Sequence, residues 1–131
     1  MILARTHQYG LLALIELARL PGREYVVCRD IAERFELPQP YLAKLMQQLV
    51  HAGLIESVRG RHGGYRLLLA PEQIKVGEVI RILDTDYGDC HCLLGLQTCN
   101  DEHACALHEQ WSPLRDGLFD MLEGQTLRQL L

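Results

Sequence analysis

Residues 29–69 read RDIAERFELPQPYLAKLMQQLVHAGLIESVRGRHGGYRLLL, and the reading of this stretch decides the fold. Ile31, Ala32 and Phe35 recur at helical spacing, which predicts a short helix over residues 29–35. Leu37-Pro38-Gln39-Pro40 then breaks the chain, and Pro40 suits a first helical position, where its missing N–H costs nothing. A further helix follows over residues 41–52 and is stopped by Gly53. Leu42, Leu45, Met46 and Leu49 line its inner face, and Tyr41, Lys44, Gln48 and His51 line the opposite one. Two short apolar runs, residues 54–58 and 65–69, are joined by the glycine-rich tip Arg59-Gly60-Arg61-His62-Gly63-Gly64 and read as a β-hairpin. Short helix, turn, helix and hairpin make the order of a winged helix-turn-helix.

Upstream, residues 2–20 are strongly apolar, with Leu11, Leu14, Ile15 and Ala18 at helical spacing, and stop at Pro21-Gly22. Downstream, Pro71 opens a linker and residues 76–83 predict one more short helix. Residues 84–104 lose all periodicity and are polar, acidic and cysteine-rich, too long for an ordinary structureless loop in a compact domain. Order returns with Leu107, Trp111, Leu114, Leu118 and Met121, spaced four, three, four and three. Such a heptad-like stripe suits a dimer seam, the alternative being packing on the chain's own first helix. Ser112-Pro113 either kinks this helix or restarts it with Ser112 as cap, and Thr126 with Gln129 fits a capping box opening a last helical turn. The expected fold class is mainly α with a small β-hairpin wing: a winged helix-turn-helix plus a long C-terminal dimerisation helix. Residues 1–70 form the DNA-binding region in this reading, and residues 71–131 carry a ligand loop at 84–105 and the dimerisation helix.

A chain of 131 residues, 48% hydrophobic and 23% charged, has the composition of one ordinary globular domain, which excludes a disordered tail or a fibre. No apolar run approaches the roughly 18 residues that span a bilayer. The opening residues lack a basic stretch followed by an apolar one, so a cytoplasmic protein that does not engage the membrane is expected. The net charge of −4 divides unevenly. Residues 1–70 carry nine Lys/Arg against six Asp/Glu, a net of +3, and residues 71–131 carry four against eleven, a net of −7. The first half is suited to face something anionic.

A major groove admits one helix, and side chains reach base edges only from its exposed face. Gln39, Pro40, Tyr41, Lys44, Gln47 and Gln48 lie there, and Lys pairs with guanine acceptors as Gln pairs with adenine. Arg59, Arg61, His62 and Arg66 fall in eight residues without one acid, on a glycine-flexed tip placed where a wing flanks a reading helix. Arg is favoured for phosphates and narrow minor grooves. Double-stranded DNA is therefore the expected partner. No nucleophile elbow, phosphate loop or Ser/His/Asp constellation is present, so neither an enzyme nor a small-molecule substrate is expected.

Four of the five cysteines crowd into sixteen residues: Cys90, Cys92, Cys99 and Cys105, with His108 three residues further on, while Cys28 stands apart. Reduced thiols in such a cluster read as metal-binding or redox-active. The absence of a CxxC pair weighs against a zinc knuckle, and three thiolates with one imidazole suit an iron–sulfur cluster, although spacing alone leaves the metal open. A zinc-dependent or thiol-switch regulator on the same fold remains the alternative, followed by an electron-transfer or protein-binding module. Cys28 reads as a small buried side chain or a helix-start residue.

Taken together, the Tyr9 helix, IAERFELPQPYLAKLMQQLVHAGLIESVRG, GGYRLLLAPEQIKVGEVIRILD, the three-cysteine loop, Trp111 and the closing TLRQLL resemble the IscR/NsrR-type (Rrf-two) iron–sulfur regulators of bacteria. The resemblance spans essentially the whole chain. It implies a winged-helix homodimer crossed through its C-terminal helix, with a [2Fe-2S] or [4Fe-4S] cluster whose presence changes operator binding; a transcriptional repressor is the function expected here, although the sequence itself does not reveal the sign of control. Cys92, Cys99 and Cys105 match the family's three cysteines, and His108 matches the fourth, non-cysteine ligand of the branch that holds [2Fe-2S], the nuclearity favoured here. The gap from Cys92 to Cys99 is one residue longer than the family's, with Cys90 as a rival first thiolate. Some members take an N-terminal ligand from the partner subunit; His7 occupies that region and is otherwise read as a helix-surface histidine, while His91 and His103 read as loop bystanders. Two reading helices on one face of a duplex imply half-sites spaced by whole turns of about 10–10.5 base pairs.

Overall fold

The first helix, α1 (Arg5–Arg19), buries Gly10, Ala13, Leu14 and Leu17 along one side, and His7 with them. The computed structural model describes residues 3–20, 24–84, 94, 102 and 104–131. A second helix, α2 (Cys28–Phe35), turns Ile31 and Ala32 inward. It ends at Glu36, whose left-handed backbone (φ 54°) lets the Leu37 N–H return 2.8 Å to the Ala32 carbonyl. That cap reverses the chain into α3 (Gln39–His51), where Pro40 lies in the first turn and removes no helical hydrogen bond. The buried residues of α3 are Leu42, Leu45, Met46 and Leu49, the four that its periodicity predicts.

A two-stranded antiparallel hairpin follows, β1 (Ile55–Val58) and β2 (Gly64–Leu67), with Ile55 opposite Leu67 and Glu56 opposite Arg66. Its outer edge is covered by a bridge that the sequence did not signal. Val26 and Tyr65 exchange backbone hydrogen bonds of 2.9 and 2.8 Å. Gly64 makes this possible: its φ is +139°, and a Cβ there would stand 2.5 Å from the Val26 carbonyl oxygen.

After a 3₁₀ turn at Pro71–Gln73, α4 (Val76–Leu83) forms with the bounds that the sequence predicts. It buries Val76, Gly77, Val79, Ile80 and Leu83 and leaves Glu78 and Arg81 exposed. The last long helix, α5 (His108–Gly124), runs through Pro113 without restarting, which excludes the restart of the two alternatives; a proline inside a helix forfeits one backbone hydrogen bond and need not end it. The chain closes with a 3₁₀ turn at Leu127–Leu130, whose Thr126 N–H donates 2.7 Å to Gln129 Oε1 as the capping box requires. This end is stitched back to the start of α4 by hydrogen bonds from Leu127 N–H to the Ile74 carbonyl (2.8 Å) and from Val76 N–H to the Gln125 carbonyl (3.0 Å).

One core gathers Leu14, Ile31, Leu42, Met46, Leu49, Ile55, Ile74, Val79 and Leu127. A smaller one joins Val76 and Ile80 of α4 to Leu122 of α5, with Leu118 and Phe119 beside it. Burying each such aliphatic side chain is worth about 1.5–3 kcal/mol. On the predicted apolar stripe of α5, Leu118 packs within the chain, whereas Leu114 and Met121 are 68% and 52% exposed. His7 departs from its reading as a surface residue: it is 3% exposed, because the first turn of α1 lies against the end of α4. Among the described residues, no helix is long and apolar enough to cross a membrane.

Replacing Gly64 with alanine drives a methyl group into the Val26 backbone. Gly64→Ala is expected to lower stability by about 1–3 kcal/mol, read as a lower urea midpoint at unchanged slope. An unchanged midpoint would contradict the close approach.

Candidate nucleic-acid interface and metal centre

With four apolar residues of α3 in the core, its remaining face leaves Gln39, Pro40, Tyr41, Lys44, Gln47, Gln48 and His51 exposed. The reading residues expected from sequence therefore share one surface. Tyr41 differs from the others in being tied down. Its hydroxyl hydrogen-bonds Thr6 Oγ1 of α1, and its ring meets Tyr9 edge-on with centroids 5.8 Å apart. Lys44, Gln47 and Gln48 rim a cavity of about 370 Å³ that Thr6, Tyr41, Leu45 and Leu83 complete.

At the hairpin tip Arg59, Arg61 and His62 are exposed, held on Gly60 (φ +113°) and the buried Gly63. Arg66 belongs to the same basic run in sequence but not in space. It lies opposite Glu56 in the hairpin register and pairs with its carboxylate. Tyr25 donates its hydroxyl to the same carboxylate at 2.9 Å, and the Arg66 guanidinium sits 4.7 Å from the Tyr25 ring centroid. Hydrogen bonds from Tyr25 and Arg66 hold the Glu56 carboxyl below its usual 4.5, and the Glu56 hydrogen bond raises the Tyr25 hydroxyl above its usual 10.0. A depressed carboxyl pKa contributes stability that is present above the ordinary value and lost as pH falls through the lowered one. The brace is therefore intact at neutral pH. Sequence reading missed Tyr25 and Glu56, although opposite charges at facing hairpin positions are a recognisable signal.

Of the expected cluster ligands, Cys92 and Cys99 lie outside the described residues, as do the rival Cys90 and the bystanders His91 and His103. Cys105 is half-buried with a free thiol, and His108, the first residue of α5, is 7% exposed. The His108 N–H donates 3.1 Å to the Cys105 carbonyl, so both donors belong to a single turn. Among the described residues, no three His, Cys, Asp or Glu side chains gather to hold a metal ion. Cys28 opens α2 as expected of a helix-start residue, and partial burial pushes its thiol pKa up, which favours the protonated thiol. His7 directs both ring nitrogens within its own chain: Nδ1 accepts the Ala4 N–H at 3.2 Å, and Nε2 lies 3.4 Å from Asp84 Oδ2.

The sequence profile of Rrf2, described as an iron-dependent transcriptional regulator, matches residues 3–131. The chain belongs to the Rrf2 family. It is 36% identical to the HTH-type transcriptional regulator IscR of Aliivibrio salmonicida, over 95% of this chain and 73% of that protein. Its fold is similar to that of CymR, the global cysteine regulator of Bacillus subtilis, with a TM-score of 0.79 and 32% identity over 98% of this chain and 94% of that one. It is also similar to IscR of T. potens, with a TM-score of 0.74 and 32% identity over 98% of this chain and 84% of that one. This Rrf2 protein is thus a DNA-binding transcriptional regulator and not an enzyme, and its winged helix is built from α1 to α3 with the hairpin.

Proposed function

We propose that this Rrf2 regulator represses transcription as a homodimer, reading operator DNA with α3 and the hairpin tip under the control of an iron–sulfur cluster. Cys92, Cys99, Cys105 and His108 would hold the cluster, with [2Fe-2S] favoured. The observation that carries the reading is the pairing of Cys105 and His108 in one turn at the root of α5. A half-buried thiol and a buried imidazole three residues apart offer the soft, partly desolvated donors that iron–sulfur ligation needs, so this half of the ligand set fits the group. When bound, such a cluster supplies reversible one-electron chemistry and sensitivity to oxidants, nitric oxide and iron supply.

The chain's own residues then have distinct tasks. His108 and Cys105 anchor the ligand loop to α5, and α5 packs on α4 through Leu122 and the Arg81–Glu123 ion pair. Lys44, Gln47 and Gln48 face the bases, while Arg59, Arg61 and His62 approach the backbone from the wing. Leu114 and Met121 extend an apolar seam toward a second copy. The likeness to a cysteine regulator favours one alternative, in which the same thiols respond to their surroundings without iron.

Anaerobic purification with a visible spectrum and iron, sulfide and zinc analysis separates these readings. The wild type is expected to be brown, with iron and sulfide that Cys99→Ala loses. A colourless protein that holds zinc or nothing after reconstitution would overturn the cluster. For DNA, changing Arg59 and Arg61 to Ala is expected to weaken binding alike across sequences and to flatten the logarithmic salt slope by about two. Arg66→Gln, which removes a cation already paired with Glu56, should leave that slope unchanged.

A further inference from the structure

Thr6 and His7 are neighbours in the first turn of α1, yet they hold two different parts of the molecule. Thr6 is bonded to the Tyr41 hydroxyl on α3. His7 is bonded within its own turn through Nδ1, which accepts the Ala4 N–H at 3.2 Å, so its ring proton sits on Nε2. Nε2 itself lies 3.4 Å from an oxygen of the Asp84 carboxylate. Asp84 is the residue at which α4 ends and the cysteine-bearing segment begins. Just before it, Leu83 packs against Gly10, where a methyl group would come within 2.2 Å of Leu83 Cδ1.

We propose that Thr6 and His7 are positioning residues for DNA reading: together they form a strut from Asp84, at the root of the ligand loop, to Tyr41 on the reading helix. Tyr41 in this arrangement is the end of the strut rather than a reader of bases. Its hydroxyl is engaged by Thr6 and its ring edge by Tyr9, so reaching a base would forfeit both contacts. One turn of helix, with its own hydrogen bonds formed, transmits displacement better than a loop. A shift of Asp84 therefore moves His7, and with it the Thr6 hydroxyl that fixes the start of α3. The proposal rests on the reading above only in taking α3 as the DNA-reading helix, and it does not require iron.

A double-mutant cycle tests it on the full chain. The probe is a duplex selected from random DNA by the wild-type protein, with affinity read by fluorescence anisotropy. Thr6→Val and Asp84→Asn are each expected to weaken binding roughly three- to tenfold. Since either break interrupts the same strut, the double variant should bind no worse than the weaker single. Thr6→Ser, which restores the hydroxyl, should return affinity to within about twofold of wild type, and Asp84→Asn should speed amide exchange across residues 39–51. Effects that multiply in the double variant, or an Asp84→Asn protein with wild-type affinity and α3 exchange, would overturn the strut. Iron and sulfide are assayed on the same samples. A colourless wild type would therefore defeat the cluster reading while the cycle still decides this one.

Discussion

At Gly10 the backbone of α1 lies bare against Leu83, and a single methyl group would stand 2.2 Å from that side chain. The close approach of α1 and α4 depends on this missing Cβ, and much of the remaining architecture depends on that approach. With α4 seated there, Val79 and Leu83 enter the main core beside Leu42, Met46 and Leu49 of α3. The opposite side of α4 meets α5 through Val76, Ile80 and Leu122, and Gly77 leaves room for the Glu123 carboxylate that pairs with Arg81. An eight-residue helix is thereby packed between α3 on one side and the long C-terminal helix on the other.

This packing matters because the segment with the cysteines follows α4 and precedes α5 in the sequence. Both ends of that segment are anchored on helices that share α4. A ligand changes an equilibrium only by its differential affinity for two arrangements. Coupling of about 1–3 kcal/mol between two sites is enough for a 5- to 150-fold change in affinity. A packed α4 can carry such a bias, since close-packed cores switch between discrete arrangements rather than deform smoothly.

Much of the winged helix was legible in the sequence because strong periodicity and clear punctuation agreed. The inner face of α3, the bounds of α4 and the Thr126–Gln129 cap all follow from local rules. What escaped was set by partners distant in sequence. His7 looks like a surface residue until α4 arrives beside it, and local pattern gives no sign that Tyr41 meets Thr6 and Tyr9 of α1. Arg66 joins a basic run in sequence and an ion pair in space, because the hairpin register places Glu56 across from it. The continuity of α5 through Pro113 was likewise open locally, since proline permits either outcome. Of the cysteine constellation, the sequence supplies four ligand candidates and the fold brings two, Cys105 and His108, into one turn.

The most direct measurement is anaerobic titration of one selected operator duplex with a single preparation of the protein, divided into a loaded sample and one stripped of iron and sulfide. If the ligand loop acts on α3 through α4, the two samples should differ in Kd by at least about fivefold at the same salt concentration. Equal affinities, with iron confirmed in one sample and absent from the other, would contradict it.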